Sequence, residues 1–248
     1  MAHFYKIINW EPRSRKAAES FANAVFFDRL DFVNYEFVND MTVVAETKPR
    51  RTRRLSARNI PAALVYEMWL GEPIYYRGYR DVVAGKKTIQ EVMSCSDLRG
   101  VLVSLLNGHL YTTINRKKYL LATNEIGLHL ALNNNLGNDI AIFEKDKISK
   151  LKGKCFDIPP KIVIEVDIKV DVAEFENGAD GYVIQKSQKL LDFGLDKVLW
   201  IITSMQRVYV IDRNDPTWRI IDWSENISVL EDCVLNIRQL LEDEEIAY

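Results

Sequence analysis

The chain has 248 residues, 48% hydrophobic and 27% charged, enough for one large domain or a domain with an extension. Its formal charge of −2 excludes a general attraction to nucleic acid, so such a partner has to be held by a local basic patch. The three cysteines, Cys95, Cys155 and Cys233, form no C-x-x-C pair, and the three histidines form no H-E-x-x-H, which excludes the common zinc patterns.

No apolar run approaches the roughly 20 residues of a membrane helix, and no basic-then-apolar leader opens the chain. The expectation is a cytoplasmic protein with free thiols and no membrane partner.

Along the chain, residues 14–30 carry apolar positions on one helical face, and "YEFV" and "MTVVAE" read as short strands. "KPRRTRRLSARN" then crowds Lys48, Arg50, Arg51, Arg53, Arg54 and Arg58 together, either as a solvated linker or as a phosphate-contacting arm. The division predicted is an N-terminal extension at 1–45, a basic linker at 46–60 and an α/β domain at 61–248.

Within that domain "IYYRGY" predicts a strand or turn. "TIQEVMSCSDLRGVLVSLLNGHL" predicts a long helix, with Ser94 or Ser96 interrupting its start. "KYLLAT" and "EIGLHLAL" read as strands separated by Asn124, and Asn138–Glu144 as another. "PPKIVIEVDIKVD" alternates apolar Ile162, Ile164, Val166, Ile168 and Val170 with Glu165, Asp167 and Lys169, a strand with one apolar and one charged face. A helix near Gly181–Phe193 is closed by Gly194, a C-terminal glycine signal. "KVLWIIT" and "RVYVID" form a hairpin around "SMQ"; "TWRIIDW", "ISVL" and a short helix near "IRQLLEDEE" complete the chain. The order of elements predicts an α/β fold with a mixed central sheet flanked by helices.

Three features bear on chemistry. Asp139 begins the strand "DIAIF", Glu165 sits mid-strand with Asp167 two residues on, and Lys186 lies beside the apolar row of the next helix. Carboxylates from neighbouring strands suit a hard divalent ion such as Mg2+ or Mn2+, and a lysine beside them suits developing phosphoryl charge. The bland alternative is a strand whose charged face meets water, with Asp139 a strand-start residue and Lys186 laying its stem on apolar surface.

The ordered set "NDIAIF", "PKIVIEV" and "KSQKLLDFGLDKVLW" resembles the PD-(D/E)xK nuclease superfamily, and within it the Uma-two-like restriction endonuclease branch. "YEMWLGEPIYYRGYRDV" resembles that branch's opening, where a Tyr-Glu pair precedes a turn and strand; the likeness spans roughly residues 62–241. It implies a restriction-endonuclease-like fold and a Mg2+- or Mn2+-dependent endonuclease acting on DNA. Asp139, Glu165 and Lys186 would be its catalytic set, and Asp139, Glu165 and Asp167 its metal-binding acids. A homodimer would suit double-strand cleavage. Asn138 replaces the proline of the "PD" signature, and Leu190 stands where an aromatic is common. A rival alignment takes "DIK" as the motif, with Asp167 as acid and Lys169 as lysine; the downstream Gly194 and Trp200 favour Glu165 with Lys186 and leave Lys169 a surface charge. A nuclease-fold module that binds nucleic acid or a protein without cutting is the alternative.

Overall fold

The computed structural model describes residues 60–231 and 233–248. The expectations for 1–45, and for the basic stretch 46–60 apart from Ile60, fall outside the described residues. The described part opens with a 3-10 turn at Ala62–Leu64, followed by β1 (Val65–Trp69), β2 (Glu72–Tyr75), α1 (Tyr79–Val83), α2 (Ile89–Met93) and α3 (Asp97–Thr113). Next come β3 (Tyr119–Ala131), β4 (Asn134–Glu144), β5 (Ile162–Val166), α4 (Gly178–Phe193), β6 (Lys197–Ile202) and β7 (Arg207–Asp212). The chain closes with β8 (Asp215–Asp222), β9 (Ile227–Leu230), β10 (Cys233–Leu235) and α5 (Ile237–Asp243).

The main sheet runs β2-β1-β4-β5-β6-β7-β8, with β3 also on β4. Its pairings are antiparallel except the parallel step from β5 to β6, whose crossover is α4. Core side chains cover both faces. Ile140, Ile142, Ile162, Ile164, Leu199 and Ile201 pack with α3, α5 and the β9–β10 hairpin. Ala141, Phe143, Val163, Val198 and Trp200 pack with α4. The mixed α/β architecture is therefore the one the order of elements predicts.

Local chemistry sets most boundaries. The predicted long helix is broken at Ser94–Ser96: Thr88 and Glu91 form a capping box on α2, and the Ser96 side chain caps α3 by accepting from the Arg99 amide. The two strands expected around Asn124 are one strand with a bulge, where Asn124 and Glu125 both take positive φ. Gly194 ends α4 at φ 133°, its N–H reaching the Leu190 and Leu191 carbonyls. The "SMQ" hairpin forms as predicted, with Gln206 at φ 50°.

One expectation needs correction. The strand expected over "PPKIVIEVDIKVD" stops at Val166, because Asp167 turns into the left-handed region at φ 59°. All five residues of β5 are buried, so neither of its faces is wet.

Long β4 positions the site. Its first residues pair with β1 through Asn135 and its later ones with β5 through Ile140, while β3 runs along the opposite edge. Between Asn135 and Ile140 the edge facing β1 and β5 has no strand ladder. Unpaired backbone groups in a buried strand have to be satisfied by something else, and here side chains do it.

Candidate active site

Gly137 lies in that gap. Its N–H donates to Glu67 Oε1 at 3.1 Å, and its carbonyl accepts from Lys186 Nζ at 2.6 Å and from the Tyr66 hydroxyl at 3.3 Å. A Cβ here would stand 3.2 Å from the Tyr66 ring, so glycine lets ring and strand approach closely. Two positions on, the register that pairs Ile140 with Ile164 sets Asp139 opposite Glu165. Two like charges opposed across a sheet are destabilising unless cations intervene.

Three cations do so, from three different elements. Lys186 descends from α4 and is 1% exposed. Its Nζ lies 2.6 Å from Glu67 Oε1 and 2.9 Å from Glu165 Oε1. The Tyr66, Tyr182 and Trp200 rings surround it at 5.6–5.7 Å. Glu67 Oε2 accepts from the Trp69 indole at 2.9 Å and the Tyr182 hydroxyl at 3.1 Å. Asp139 Oδ1 accepts from Arg99 Nη2 and from Lys169 Nζ, each at 2.6 Å, and its Oδ2 takes the Val166 amide at 2.9 Å. Arg99 also donates through Nε to the Val166 carbonyl at 3.0 Å.

The electrostatics follow. Burial pushes Glu165 up to about 7; Lys186 opposes this and the Asp139 charge adds to it. Burial would also raise Asp139, but Lys169, Arg99 and the Val166 amide outweigh it and hold the carboxyl below its ordinary value. Burial would lower Lys186, yet Glu165 and Glu67 raise it well above a free lysine, so it is a fixed cation. Burial raises both Tyr66 and Tyr182, which stay neutral donors.

The structure thus brings Asp139, Glu165 and Lys186 together and leaves Asp167 aside. Asp167 accepts from the Thr203 amide and hydroxyl, both at 2.8 Å, and caps the turn after β6. The alternation that set it on the face of Glu165 ends with the strand. Lys169, expected as a surface charge, is instead bonded to Asp139, because the turn at Asp167 redirects the chain after β5.

Sequence reasoning did not single out Glu67, Arg99, Tyr66 or Tyr182. Glu67 had a signal, as the one charge inside "VYEMW" and the acid of the quoted Tyr-Glu pair. Arg99 had none, because it comes from a helix 40 residues before Asp139.

The donors are chemically suited to a hard divalent ion. Glu67, Asp139 and Glu165 offer only oxygen, and Glu165 Oε1 is buried without an aligned hydrogen-bond donor despite its ion pair. Among the described residues, however, no three His, Cys, Asp or Glu side chains surround a common point. Asp139 already accepts three hydrogen bonds, so an ion taken up there competes with Arg99 and Lys169 for its oxygens.

Beside the cluster opens a cleft of about 250 Å3, bordered by Arg99, Lys169, Arg77, Lys87, Glu125 and Asp167 among others. Among the described residues no helix is long and apolar enough to cross a membrane. Cys95, Cys155 and Cys233 are free thiols.

No family model matches the chain, and no curated protein matches it. Among solved structures, a candidate nuclease of the DUF820 group from Anabaena variabilis is similar. The TM-score is 0.50 at 16% sequence identity, covering 71% of this chain and 89% of that one. At that identity the likeness speaks to the fold, and the mixed sheet flanked by helices is the restriction-endonuclease-like architecture expected from the sequence.

Proposed function

We propose that the chain is a nuclease that hydrolyses DNA phosphodiester bonds with the help of Mg2+ or Mn2+, in the cytoplasm. The observation that carries this reading is the convergence of Asp139, Glu165 and Lys186, with Glu67, where β4 parts from its neighbours. The nuclease description of the structural neighbour supports it. Asp139 and Glu165 would hold the ion, with Glu67 behind Lys186. A divalent cation bound there supplies Lewis-acid polarisation of the phosphoryl oxygen and a more acidic water.

The chain's own groups do the rest. In the reaction a water oxygen bonds to phosphorus, one P–O ester bond breaks, and the departing oxygen takes a proton. Glu165, which burial pushes up to about 7, is suited to accepting the water's proton. Lys186 holds Glu165 at 2.9 Å and is itself fixed by Glu67, so its role is to position and charge that carboxylate. Cutting both strands of a duplex calls for two such sites, so a homodimer belongs to the proposal.

The test is cleavage of supercoiled plasmid with Mg2+ or Mn2+. Wild type should nick or linearise it, and Glu165→Ala should lose at least a hundredfold in rate, in line with removing a positioned acid–base group. Full activity in that variant would show the assignment to be wrong.

One observation favours a second reading, a binding module that does not cut: Asp139 is already neutralised by Arg99 and Lys169. Salt-sensitive DNA binding in EDTA, lost on neutralising Arg50, Arg51, Arg53 and Arg54, with no cleavage under any metal, would select it.

A further inference from the structure

We propose that the cleft beside Asp139 binds a phosphoryl oxyanion, with Arg99 and Lys169 as its inner ligands, and that these two cations, not Lys186, meet the substrate's phosphate. Both border the cleft, whereas Lys186, Glu67 and Glu165 do not. At about 250 Å3 the space is below the usual drug-sized pocket of roughly 300–1,000 Å3. It therefore suits a phosphate with a few attached atoms and not the width of a duplex.

Donor counting separates the three cations. An ammonium has three N–H groups. Lys186 is 1% exposed and faces three oxygens, those of Glu67, Glu165 and Gly137, so it has no open side for a phosphate. A guanidinium has five. Arg99 gives one to the Val166 carbonyl and one to Asp139, leaving three. Lys169 gives a short bond to Asp139 and a long one, 3.4 Å, to Glu125. The acids of the wall, by contrast, have donors from the protein. Asp167 holds Thr203, Glu125 accepts from the Tyr76 hydroxyl at 3.1 Å, and Glu91 closes the capping box of α2. Arg77 and Lys87 add positive charge at the same wall. The cleft thus presents unspent donors beside acids already engaged by the protein, an arrangement that suits an anion.

Asp139 is the internal rival of that anion, since it takes the innermost donor of both cations. Removing its charge should strengthen anion binding, an effect that a merely structural role would not produce.

Anion binding as such stands on the geometry; naming the anion as a nucleic-acid phosphate rests on the nuclease reading. The experiment uses the full chain in EDTA. Inorganic sulfate, inorganic phosphate and a thymidine dinucleotide monophosphate are titrated at constant ionic strength, followed by calorimetry and by the Arg99 Nε–H resonance.

The wild type should bind all three, and the dinucleotide more tightly than free phosphate if the phosphate belongs to nucleic acid. Arg99→Met and Lys169→Met should each weaken binding at least tenfold, and Asp139→Asn should tighten it several-fold. Lys186→Met should stay within twofold; should it fail to fold, the wild-type Lys186 amide resonance serves instead and should not move on saturation while Arg99 Nε–H does.

Folded wild type that binds none of the anions overturns the proposal, as does binding that survives Lys169→Met but not Lys186→Met. Anion binding without cleavage under any metal would refute the nuclease reading and leave the anion site standing. Cleavage without anion binding here would do the reverse.

Discussion

Glu165→Gln in the metal-free protein tests the electrostatic account of the site directly. The unfolded chain ionises this carboxyl near 4.5, whereas burial, opposed by Lys186 and aided by Asp139, raises it in the fold to about 7. Between those pH values the native state holds the proton and the unfolded state does not, so stability falls as pH rises through the window. At 1.36 kcal/mol per unit, the loss from this one group is roughly 3 kcal/mol between pH 4.5 and about 7. Asp139 works in the opposite sense. Its folded pKa is depressed, so its contribution is complete above its ordinary 3.8 and disappears only as pH falls below that. The two windows do not overlap, so the Glu165 effect can be read alone.

Gln at 165 removes the titration and keeps the shape. Urea unfolding in EDTA, followed by the fluorescence of buried tryptophans such as Trp200 and Trp223, gives stability across the range. The stability advantage of wild type over the variant should shrink by roughly 3 kcal/mol from pH 4.5 to about 7. Parallel profiles, differing by a constant within about 0.5 kcal/mol, would refute the claim that Glu165 is buried beside another carboxylate.

Three other substitutions have expected outcomes. Lys186→Met leaves Glu67 and Glu165 buried without their shared cation and should cost about 3–5 kcal/mol at neutral pH, less in acid, by urea unfolding. A loss under about 1 kcal/mol would mean that the pair is not held as described. Asp167→Ala removes both acceptors of Thr203 and should cost about 1–2 kcal/mol while plasmid cleavage stays near wild type; collapse of cleavage would return Asp167 to the metal set. Gly194→Ala should lower the melting temperature, with a cost above about 1 kcal/mol, because φ is 133° and a Cβ would meet Pro159 Cγ at 2.8 Å. An unchanged melting curve would contradict that packing.

Much of the fold was legible because local chemistry decides it. Gly194 and the "SMQ" turn mark boundaries through their own backbone preferences, and the apolar periods of α4, β6 and β7 leave few alternatives. Less legible were features made by tertiary contact. Asn124 and Glu125 look like a break between strands, but β4 runs alongside both halves and turns the break into a bulge. The short β10 owes its existence to β9 and α3, and "CVL" alone gives no signal for it.

The lysines show where reading along a strand stops being reliable. Spacing places a side chain on a face only while the backbone stays extended. Asp167, a residue type that tolerates the left-handed region, leaves the extended state at φ 59°, and everything after it is re-aimed. Lys169 therefore reaches Asp139, on the preceding strand, although the register fixed by Gly194 and Trp200 leaves it a surface charge. What the sequence does specify is the demand. Asp139 and Glu165 face each other across adjacent buried strands, and such a pair has to recruit cations from outside those strands or lose its charge. Arg99 answers from α3 and Lys169 from beyond the kink, both at Asp139 Oδ1, while Lys186 comes from α4 to Glu165. Since only Arg99 and Lys169 also border the cleft, the division of labour between neutralising the acids and meeting a phosphate follows from which element delivers the cation, not from its distance along the chain.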